Sequence, residues 1–381
     1  MILDTTTLII FSIVFLLAIA TPFSNPFFRK VATDKDTVKR KEEQLPPISI
    51  LVLACDDARG LEDNLPALLT QDYSSEYEVI VVTEQKDAVA EPILNHYSNN
   101  PRLYSTFIPP ESLFMSRGKL AVTLGVKATH NEWIILVSPD CQPVSDQWLK
   151  TMAYNFNSHN NLVLGYSNYK ADAPAYYRFE RLRTALYLMR KAQKGKAYRY
   201  NGANIAFRRS EFIKNDGYKG NLQHLHGIYD FLVNKYSKNG HTAVEISEDA
   251  FIREETPSKE EWNNNNIFYV YTRKHLDNSL PLRLIFDTDM TLMYLGLVVP
   301  LATIIYGALT YNFIVMTVAA VAFITMIVER ILIAKKTFKK FGETISSWLV
   351  IPYEISIIWR QIPRVIRYIQ SDKRDFSTHK I

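Results

Sequence analysis

Apolar and polar positions alternate in short blocks through the middle of this chain. Four apolar runs have the length of β-strands: 48–54, 77–83, 103–108 and 133–137. Between them, 61–70 and 118–128 place apolar residues at helical spacing. Strands that are separated by helices of this length predict a parallel β-sheet covered by helices on both faces. We therefore predict one α/β domain over residues 46–284.

The N-terminal pattern is different and predicts a membrane helix. Residues 5–28 contain no charged side chain. This uncharged stretch is longer than the about 20 residues that span a bilayer. No Lys or Arg precedes this stretch, and basic residues begin at Arg29, so the positive-inside rule places the following domain in the cytoplasm. A cleaved secretory signal is the alternative, although it lacks the basic start of such signals. The prediction is a transmembrane helix over 1–28 and a charged connector over 29–45.

A second uncharged stretch, 290–328, is long enough for two spans. The polar residues 310–312 interrupt it and mark a tight turn. We predict a transmembrane helical hairpin over 285–330, with both ends on the cytoplasmic side because basic residues follow it.

The C-terminal pattern predicts a helix that lies on the membrane. Residues 345–358 are apolar but include Pro352 and Glu354, and arginines then alternate with isoleucines up to Ile369. This pattern favours an interfacial amphipathic helix with a basic tail over 331–381. A short third span is the alternative, and the basic tail argues against it because that span would place the tail outside.

Composition and charge narrow the class of protein. The chain has 381 residues and a net charge of +5, and its only cysteines are Cys55 and Cys141, which is too few for a disulfide framework. A reducing compartment is therefore expected. The segment 166–200 is rich in tyrosine and basic residues, as in some nucleic-acid-binding proteins. In a chain with membrane segments, such a segment is better suited to bind lipid headgroups or a lipid diphosphate. We therefore predict no nucleic-acid partner.

Candidate chemistry lies at the carboxyl ends of the predicted strands, where ligands bind in open α/β sheets. These ends carry Ala54, Asp56, Asp57, Glu84 and Asp140. Asp56 or Asp57 can accept hydrogen bonds from a base or ribose, and Lys119 can neutralise phosphate charge. Asp140 can bind Mg²⁺ or Mn²⁺, which would stabilise a diphosphate as a leaving group. Solvated strand ends are polar too, but these positions together favour a nucleotide-diphosphate site.

The order of motifs from Pro46 to about Leu276 resembles glycosyltransferase family 2, which has the GT-A fold, in a membrane-anchored bacterial form. The resemblance rests on five segments: the opening strand and loop 46–57, the helix and strand 65–82, the lysine-bearing helix 116–126, the DxD-like region 138–149, and the acceptor-side run 201–208. It implies inverting transfer of a sugar from a UDP- or GDP-linked donor to a lipid-linked or polysaccharide acceptor. It also implies a bacterial inner-membrane protein whose catalytic domain is cytoplasmic.

Several positions depart from the family pattern. Ser138 stands where the first acid of DxD is usual, and Ile228 and Tyr229 stand where the family has the Glu-Asp pair of the catalytic base. Asp230 is the nearest carboxylate, so the resemblance makes it the candidate base. A rival carboxylate pair occupies 248–249, and the Gln of a Gln-x-x-Arg-Trp-like motif is absent near 271–276. These departures leave open a second reading, in which the chain is a catalytically impaired scaffold or partner of an active transferase.

Overall fold

The computed structural model describes residues 5–28, 31, 45–55, 58–109, 115–195, 197–237 and 241–377. The chain divides into two compact units. A helical unit comprises Met1–Lys30 and Asn278–Gln361, and an α/β unit comprises Val31–Asp277 and Ile362–Ile381.

Ten strands and eight helices make up most of the described α/β unit. The strands are β1 (Ile48–Leu53), β2 (Tyr77–Glu84), β3 (Leu103–Ile108), β4 (Trp133–Val137), β5 (Cys141–Pro143), β6 (Asn160–Gly165), β7 (Ser167–Tyr169), β8 (Ile205–Arg208), β9 (His241–Glu245) and β10 (Ile252–Glu254). Its helices are α2 (Leu61–Leu69), α3 (Ala90–His96), α4 (Arg117–Ala128), α5 (Trp148–Ala153), α6 (Ala175–Gln193), α7 (Arg209–Lys214), α8 (Ile228–Tyr236) and α9 (Lys259–Thr272).

The main sheet has seven strands in the order β3-β2-β1-β4-β8-β6-β9. The four strands that the sequence pattern predicted pair in parallel, which confirms the mostly parallel α/β sheet. β8 departs from that pattern because it runs antiparallel to both β4 and β6. A second sheet, in the order β5-β10-β7, consists of three-residue strands.

Burial explains why the sequences of the central strands are continuous apolar runs. Every residue of β4 is buried, and so are the first five of β1, as expected for strands with helices packed against the sheet. The Trp133 ring at the start of β4 stacks on Phe156, with ring centroids 4.4 Å apart. The sheet therefore forms a rigid support whose strand ends lead into the candidate site.

The described helical unit contains α1 (Thr5–Ser24), α10 (Ser279–Leu309) and α11 (Phe313–Lys340), and α12 (Val350–Gln370) begins in it. The helices α1, α10 and α11 each have the length and apolar composition that a membrane span requires. The break between α10 and α11 falls at 310–312, where the polar residues predicted a turn. The predicted pair of long helices is thus present, and their crossing of a bilayer stays a prediction.

A cluster of charged and polar side chains is buried among these apolar helices. The Arg330 side chain is fully buried, and its Nη1 lies 2.7 Å from Oε2 of the equally buried Glu354. Asn25 Nδ2 donates to the other Glu354 oxygen at 2.8 Å. Asp289 lies 3.8 Å from Arg330 Nη2 and accepts a hydrogen bond from Ser24 at 3.0 Å. The Arg330 guanidinium is therefore the cation for two buried carboxylates, those of Glu354 and Asp289.

Candidate functional site

The turn after β4 presents Asp140 and is held by α2. Asn64 Nδ2 donates to the Pro139 carbonyl oxygen at 3.1 Å. Gly60, which precedes α2, has φ +77°, and a Cβ there would lie 3.1 Å from the Asp140 Cα. A side chain at that position would be strained by its φ and crowded by the turn, so glycine permits this close approach. The start of α2 thus fixes the backbone that carries Asp140.

The small second sheet brings more carboxylates to Asp140. β10 runs antiparallel to β5 and places Glu254 opposite Cys141. The backbone N–H of Glu255 donates to the Asp140 carbonyl oxygen at 3.1 Å. Burial raises the pKa of Asp140 to about 7, and the neighbouring Glu254 carboxylate adds to this increase. The Arg181 guanidinium acts in the opposite direction and lowers the pKa. Asp140 therefore sits in a partly desolvated acidic group near the end of β4.

Arg181, on α6, is the cation of this group. Its guanidinium forms an ion pair with Glu254, and it lies 4.5 Å above the Tyr169 ring. Glu254 Oε1 also accepts a hydrogen bond from the Ala203 N–H at 3.3 Å, and Asn201 Nδ2 donates to the Arg181 carbonyl oxygen at 3.2 Å. The Arg181–Glu254 pair therefore ties the run near 201–204 to β10, the strand that pairs with the segment directly after Asp140.

Two of the departures from the family pattern contact each other. The Ser138 hydroxyl and the Tyr229 hydroxyl lie 2.9 Å apart, which links the end of β4 to the first turn of α8. Burial raises the pKa of Tyr229, so its phenol stays neutral at physiological pH. A neutral hydrogen bond therefore joins two positions at which the resemblance described above would lead one to expect acids.

Asp230, the predicted base, is buried, and each of its carboxylate oxygens accepts a hydrogen bond. Its Oδ1 accepts a hydrogen bond from Arg199 Nε at 3.0 Å, and its Oδ2 accepts one from Thr272 Oγ1 at 3.3 Å. The Arg199 guanidinium in turn lies 3.6 Å from the centroid of the Tyr269 ring. Asp230 thus joins α8 to the end of α9, and its role as a base stays a prediction. The rival carboxylates of the 3₁₀ helix Glu248–Ala250 are exposed.

Lys119 is fully buried, unlike most lysines. Its Nζ donates to the carbonyl oxygens of Asn221 and His224, at 2.6 and 2.5 Å, and lies 4.6 Å from the Phe231 ring centroid. Burial lowers the pKa of Lys119 to about 7. In this structure the ammonium fixes the loop that leads into α8, and contact with a phosphate stays a prediction.

We expect Lys119→Met to destabilise the protein by about 2–4 kcal/mol, because two buried carbonyl groups lose their donor. Thermal unfolding of the purified chain measures this loss, and the exposed Lys127→Met on the same helix is the matched control. Unchanged unfolding combined with weaker nucleotide binding would contradict the structural role and favour the phosphate role.

The remaining predicted residues are less informative. Ala54 is buried at the end of β1, and its N–H donates to the Val82 carbonyl oxygen at 2.8 Å. Glu84, at the end of β2, forms an ion pair with Arg117 at the start of α4. Asp56 and Asp57 lie outside the described residues. Ala54, Glu84 and Asp140 therefore end three neighbouring strands, as the sequence predicted.

The described side chains fit a divalent cation only if a substrate supplies some of its ligands. Among the residues that the structure describes, no group of three or more His, Cys, Asp or Glu side chains could hold a metal ion. Mg²⁺ commonly binds through one or two carboxylates together with substrate phosphates and water. Asp140 supplies such a carboxylate, while Glu254 is already paired with Arg181. The residues thus fit a cation that arrives with a diphosphate.

Arg181 and Glu254 were missed from the sequence. The signals were weak: Arg181 is one of many basic residues in the segment 166–200, and Glu254 belongs to an adjacent pair of acids that follows a short apolar run. Nothing local shows that Glu254 pairs across more than one hundred residues with the strand beside Asp140.

Comparison with known proteins identifies the fold. No protein-family model matches this sequence, and a search among curated proteins finds no match. Among solved structures, the mannosyltransferase PcManGT from Pyrobaculum calidifontis, in complex with GDP-Man and Mn²⁺, has a TM-score of 0.50 and 15% identity over 93% of this chain and 98% of that one. At this identity the likeness concerns the fold alone, so the chain has a GT-A-like fold.

Two other matches score lower. TarS from S. aureus in complex with UDP-GlcNAc has a TM-score of 0.43 and 15% identity, covering 83% of this chain and 92% of that chain. GalNAc-T7 with UDP, GalNAc and Mn²⁺ has a TM-score of 0.44 and 11% identity, covering 63% of this chain and 50% of that chain.

Proposed function

We propose that this chain is a membrane-bound glycosyltransferase that moves a hexosyl group, with inversion, from a UDP- or GDP-linked donor to a lipid-linked or polysaccharide acceptor. We propose further that the helical unit spans a bacterial inner membrane and that the catalytic domain is cytoplasmic. The observation that carries the proposal is the partly buried Asp140 beside the Arg181–Glu254 pair, near the carboxyl end of β4 in a GT-A-like sheet. The solved mannosyltransferase of similar fold holds GDP-Man and Mn²⁺.

In this proposal the donor diphosphate lies over the ends of β1, β2 and β4. The residues proposed to contact the donor are Ala54, Asp56, Asp57, Glu84, Lys119 and Asp140. A divalent cation held by Asp140 would neutralise the diphosphate and so stabilise it as a leaving group. Arg181 keeps Glu254 in place and, through it, orders the run near 201–204 on the acceptor side.

The transfer step needs one proton acceptor. The acceptor hydroxyl attacks the anomeric carbon, the bond from that carbon to the diphosphate oxygen breaks, and a carboxylate takes the hydroxyl proton. Asp230 is the proposed base. Each of its oxygens accepts one hydrogen bond in this structure, from Arg199 and from Thr272, and a carboxylate oxygen can accept a second one, from the acceptor hydroxyl.

Asp230→Asn should lower turnover by about 10²–10⁴-fold and leave donor affinity nearly unchanged, because the amide cannot accept the proton. Turnover is measured by release of the nucleoside diphosphate, and affinity by calorimetry. The exposed Asp249→Asn is the matched control. Normal turnover of Asp230→Asn would remove Asp230 as the base, and loss of turnover in Asp249→Asn would move that role to the rival pair.

The second candidate function is that of a catalytically impaired scaffold or partner of an active transferase. Two observations favour it. Ser138 and Tyr229, which stand where the family has acids, form a neutral hydrogen bond, and Asp230, the nearest carboxylate, is paired with Arg199.

Calorimetry on the full chain in detergent separates the two functions. The protein is titrated with UDP- and GDP-sugars, with and without Mn²⁺. Metal-dependent binding that is followed by turnover supports the transferase. Failure to bind any nucleotide would rule out the enzyme and leave the partner function.

A further inference from the structure

The edge strand β3 of the main sheet is open to solvent. β3 (Leu103–Ile108) ends the sheet on one side, and its Tyr104 and Phe107 are 50% and 58% exposed. By contrast, the last three residues of β9, the strand at the opposite edge, are buried. An exposed strand edge with large apolar side chains is a template for pairing with a further strand. One side of the sheet is therefore available to a partner.

The backbone groups of β3 alternate between its neighbour β2 and the open side. In the parallel ladder the Val79 N–H donates to the Arg102 carbonyl oxygen, so every second residue from Arg102 onward faces β2. The outward-facing residues are Leu103, Ser105 and Phe107. The Leu103 N–H donates to the Asn100 carbonyl oxygen. Within the part of the chain that the structure describes, the outward N–H groups of Ser105 and Phe107 have no backbone partner.

The sequence of β3 is complementary to its own reverse. With Ser105 at the centre, antiparallel pairing of two copies sets Leu103 against Phe107 and Tyr104 against Thr106 of the other chain. The first pair joins two apolar side chains, and the second is an aromatic side chain beside a β-branched one, which is a favourable cross-strand pair. In this register the Ser105 backbone groups pair with their counterparts, and each Phe107 N–H meets the other chain's Leu103 carbonyl oxygen. A second copy therefore satisfies side chains and backbone together.

No charge on the strand opposes this pairing. None of residues 103–108 is charged and none is proline, although charges and prolines are the usual protection of edge strands. The first proline, Pro109, comes after the residues that would pair. The flanking Arg102 is engaged on the inner side, where its Nη1 donates to the Leu69 carbonyl oxygen at 3.0 Å and to the Tyr77 hydroxyl at 2.7 Å. The edge therefore lacks the features that prevent association between strands.

We infer that two copies of this chain pair antiparallel through β3, about a two-fold axis at Ser105, and so form one continuous sheet. An isologous contact of this kind uses the same surface on both chains and is closed, so it yields a dimer and not a fibre. Because the two sheets run antiparallel, the carboxyl ends of their parallel strands point in opposite directions. Each candidate site therefore stays open in the dimer. The dimer does not rest on sugar transfer, and either one can fail without the other.

Disulfide trapping on the full-length chain in detergent tests the register. Ser105→Cys places two thiols across the axis at a Cα separation of about 5.5 Å, which lies within the range of disulfides. Thr106→Cys places them about 8 Å apart, beyond the limit of about 7 Å. Mild oxidation should therefore link Ser105→Cys into dimers several-fold more efficiently than Thr106→Cys. The exposed Ser98→Cys is the control for random collision, and the native Cys55 and Cys141 are buried.

A mixture of two variants checks the same register from a second position. Tyr104→Cys and Thr106→Cys lie opposite each other only when the chains pair about Ser105, at a Cα separation of about 4.5 Å. The mixture should therefore form a linked dimer of the two variants, whereas Thr106→Cys alone should not.

Sedimentation velocity measures the association without a covalent link. Ser105→Lys sets like charges opposite each other at the axis, and Phe107→Lys removes an apolar pair, so the two changes together should weaken dimerisation at least about tenfold. Ser105→Thr keeps a hydroxyl and suits a strand, so it should leave dimerisation unchanged. Nucleotide binding per chain should be the same in all three proteins, because β3 contributes no residue to the candidate site.

Three results would overturn the inference. Equal cross-linking through positions 98, 105 and 106 would show random collision, and a chain that sediments only as a monomer would show that the edge stays unpaired. A dimer that survives the double lysine variant would lie on another surface. Normal trapping at 105 in a chain that binds no nucleotide would leave the dimer intact and contradict the proposed function alone.

Discussion

Asp140→Asn is expected to lower turnover at least about 100-fold, because a metal ion contributes several kcal/mol of charge stabilisation and each 1.4 kcal/mol changes a rate tenfold. The amide is similar in shape to the carboxylate and leaves the turn after β4 intact. It cannot offer the anionic oxygen that a divalent cation prefers. The measurement is release of nucleoside diphosphate at saturating donor, together with donor affinity in the presence and absence of Mn²⁺.

The pH dependence provides an independent check on the same residue. Since burial and Glu254 raise the pKa of Asp140 to about 7, the carboxyl group is largely ionised above pH 7 and gains a proton below it. Donor affinity in the presence of Mn²⁺ should therefore weaken as the pH falls from 8 to 6 with a midpoint of about 7. The Asp140→Asn variant should lose this weakening, whereas protonation of Lys119, whose pKa is also about 7, would strengthen phosphate binding at low pH in both chains.

Asp146→Asn is the matched control for Asp140, because Asp146 is an exposed carboxylate a few residues along the same segment. It should retain the activity and the pH profile of the unmodified chain. Normal metal-dependent turnover in Asp140→Asn would show that the carboxylate does not take part, and the proposed metal position would then be wrong.

Arg330→Met is expected to destabilise the helical unit by about 3–5 kcal/mol, which is the usual cost of leaving a buried charge without its partner. In this variant Glu354 and Asp289 would remain in an apolar helical bundle without the guanidinium that serves both. Thermal unfolding in detergent measures the effect, and the exposed Lys336→Met on the same helix is the control.

A second substitution separates charge from packing at this cluster. Because an ion pair replaced on both sides by neutral groups is often no less stable than the original pair, Arg330→Met combined with Glu354→Gln should recover much of the loss. Equal stability of Arg330→Met and the unmodified chain would show that the cluster contributes nothing to folding. A double variant no better than the single one would place the effect in the packing of the arginine side chain or in Asp289, which keeps its charge in both variants.

The predictable part of the fold is the part encoded in local periodicity. The four predicted strands end within a residue or so of their observed positions, because each is a buried apolar run bounded by polar residues. The turn at 310–312 was also visible, since a polar break in a long apolar stretch leaves few other places for the chain to reverse. The antiparallel β8 was not predictable, because the direction of a strand depends on tertiary pairing.

The candidate site was predictable only in part, because some of its residues also come together through tertiary pairing. Asp140 could be found because it follows a buried strand directly. Glu254 could not, because its three-residue strand is too short for periodicity and pairs with a segment far away in sequence. Lysine is ordinarily exposed, so its charge and its place in the resemblance led to a predicted phosphate contact for Lys119, and nothing in the sequence indicated the buried hydrogen bonds that the structure shows.

The hydrogen bond between Ser138 and Tyr229 makes the effect of a substitution at either position depend on the residue at the other. An acid introduced at 138 alone would add a third carboxylate beside Asp140 and Glu254, where one guanidinium already serves the group. A change at 229 alone would leave the serine hydroxyl without this partner and remove a ring from the start of α8. Each single substitution is thus expected to cost stability, and the costs of the two should not add. The two positions are therefore energetically coupled, and a double-mutant cycle measures the coupling.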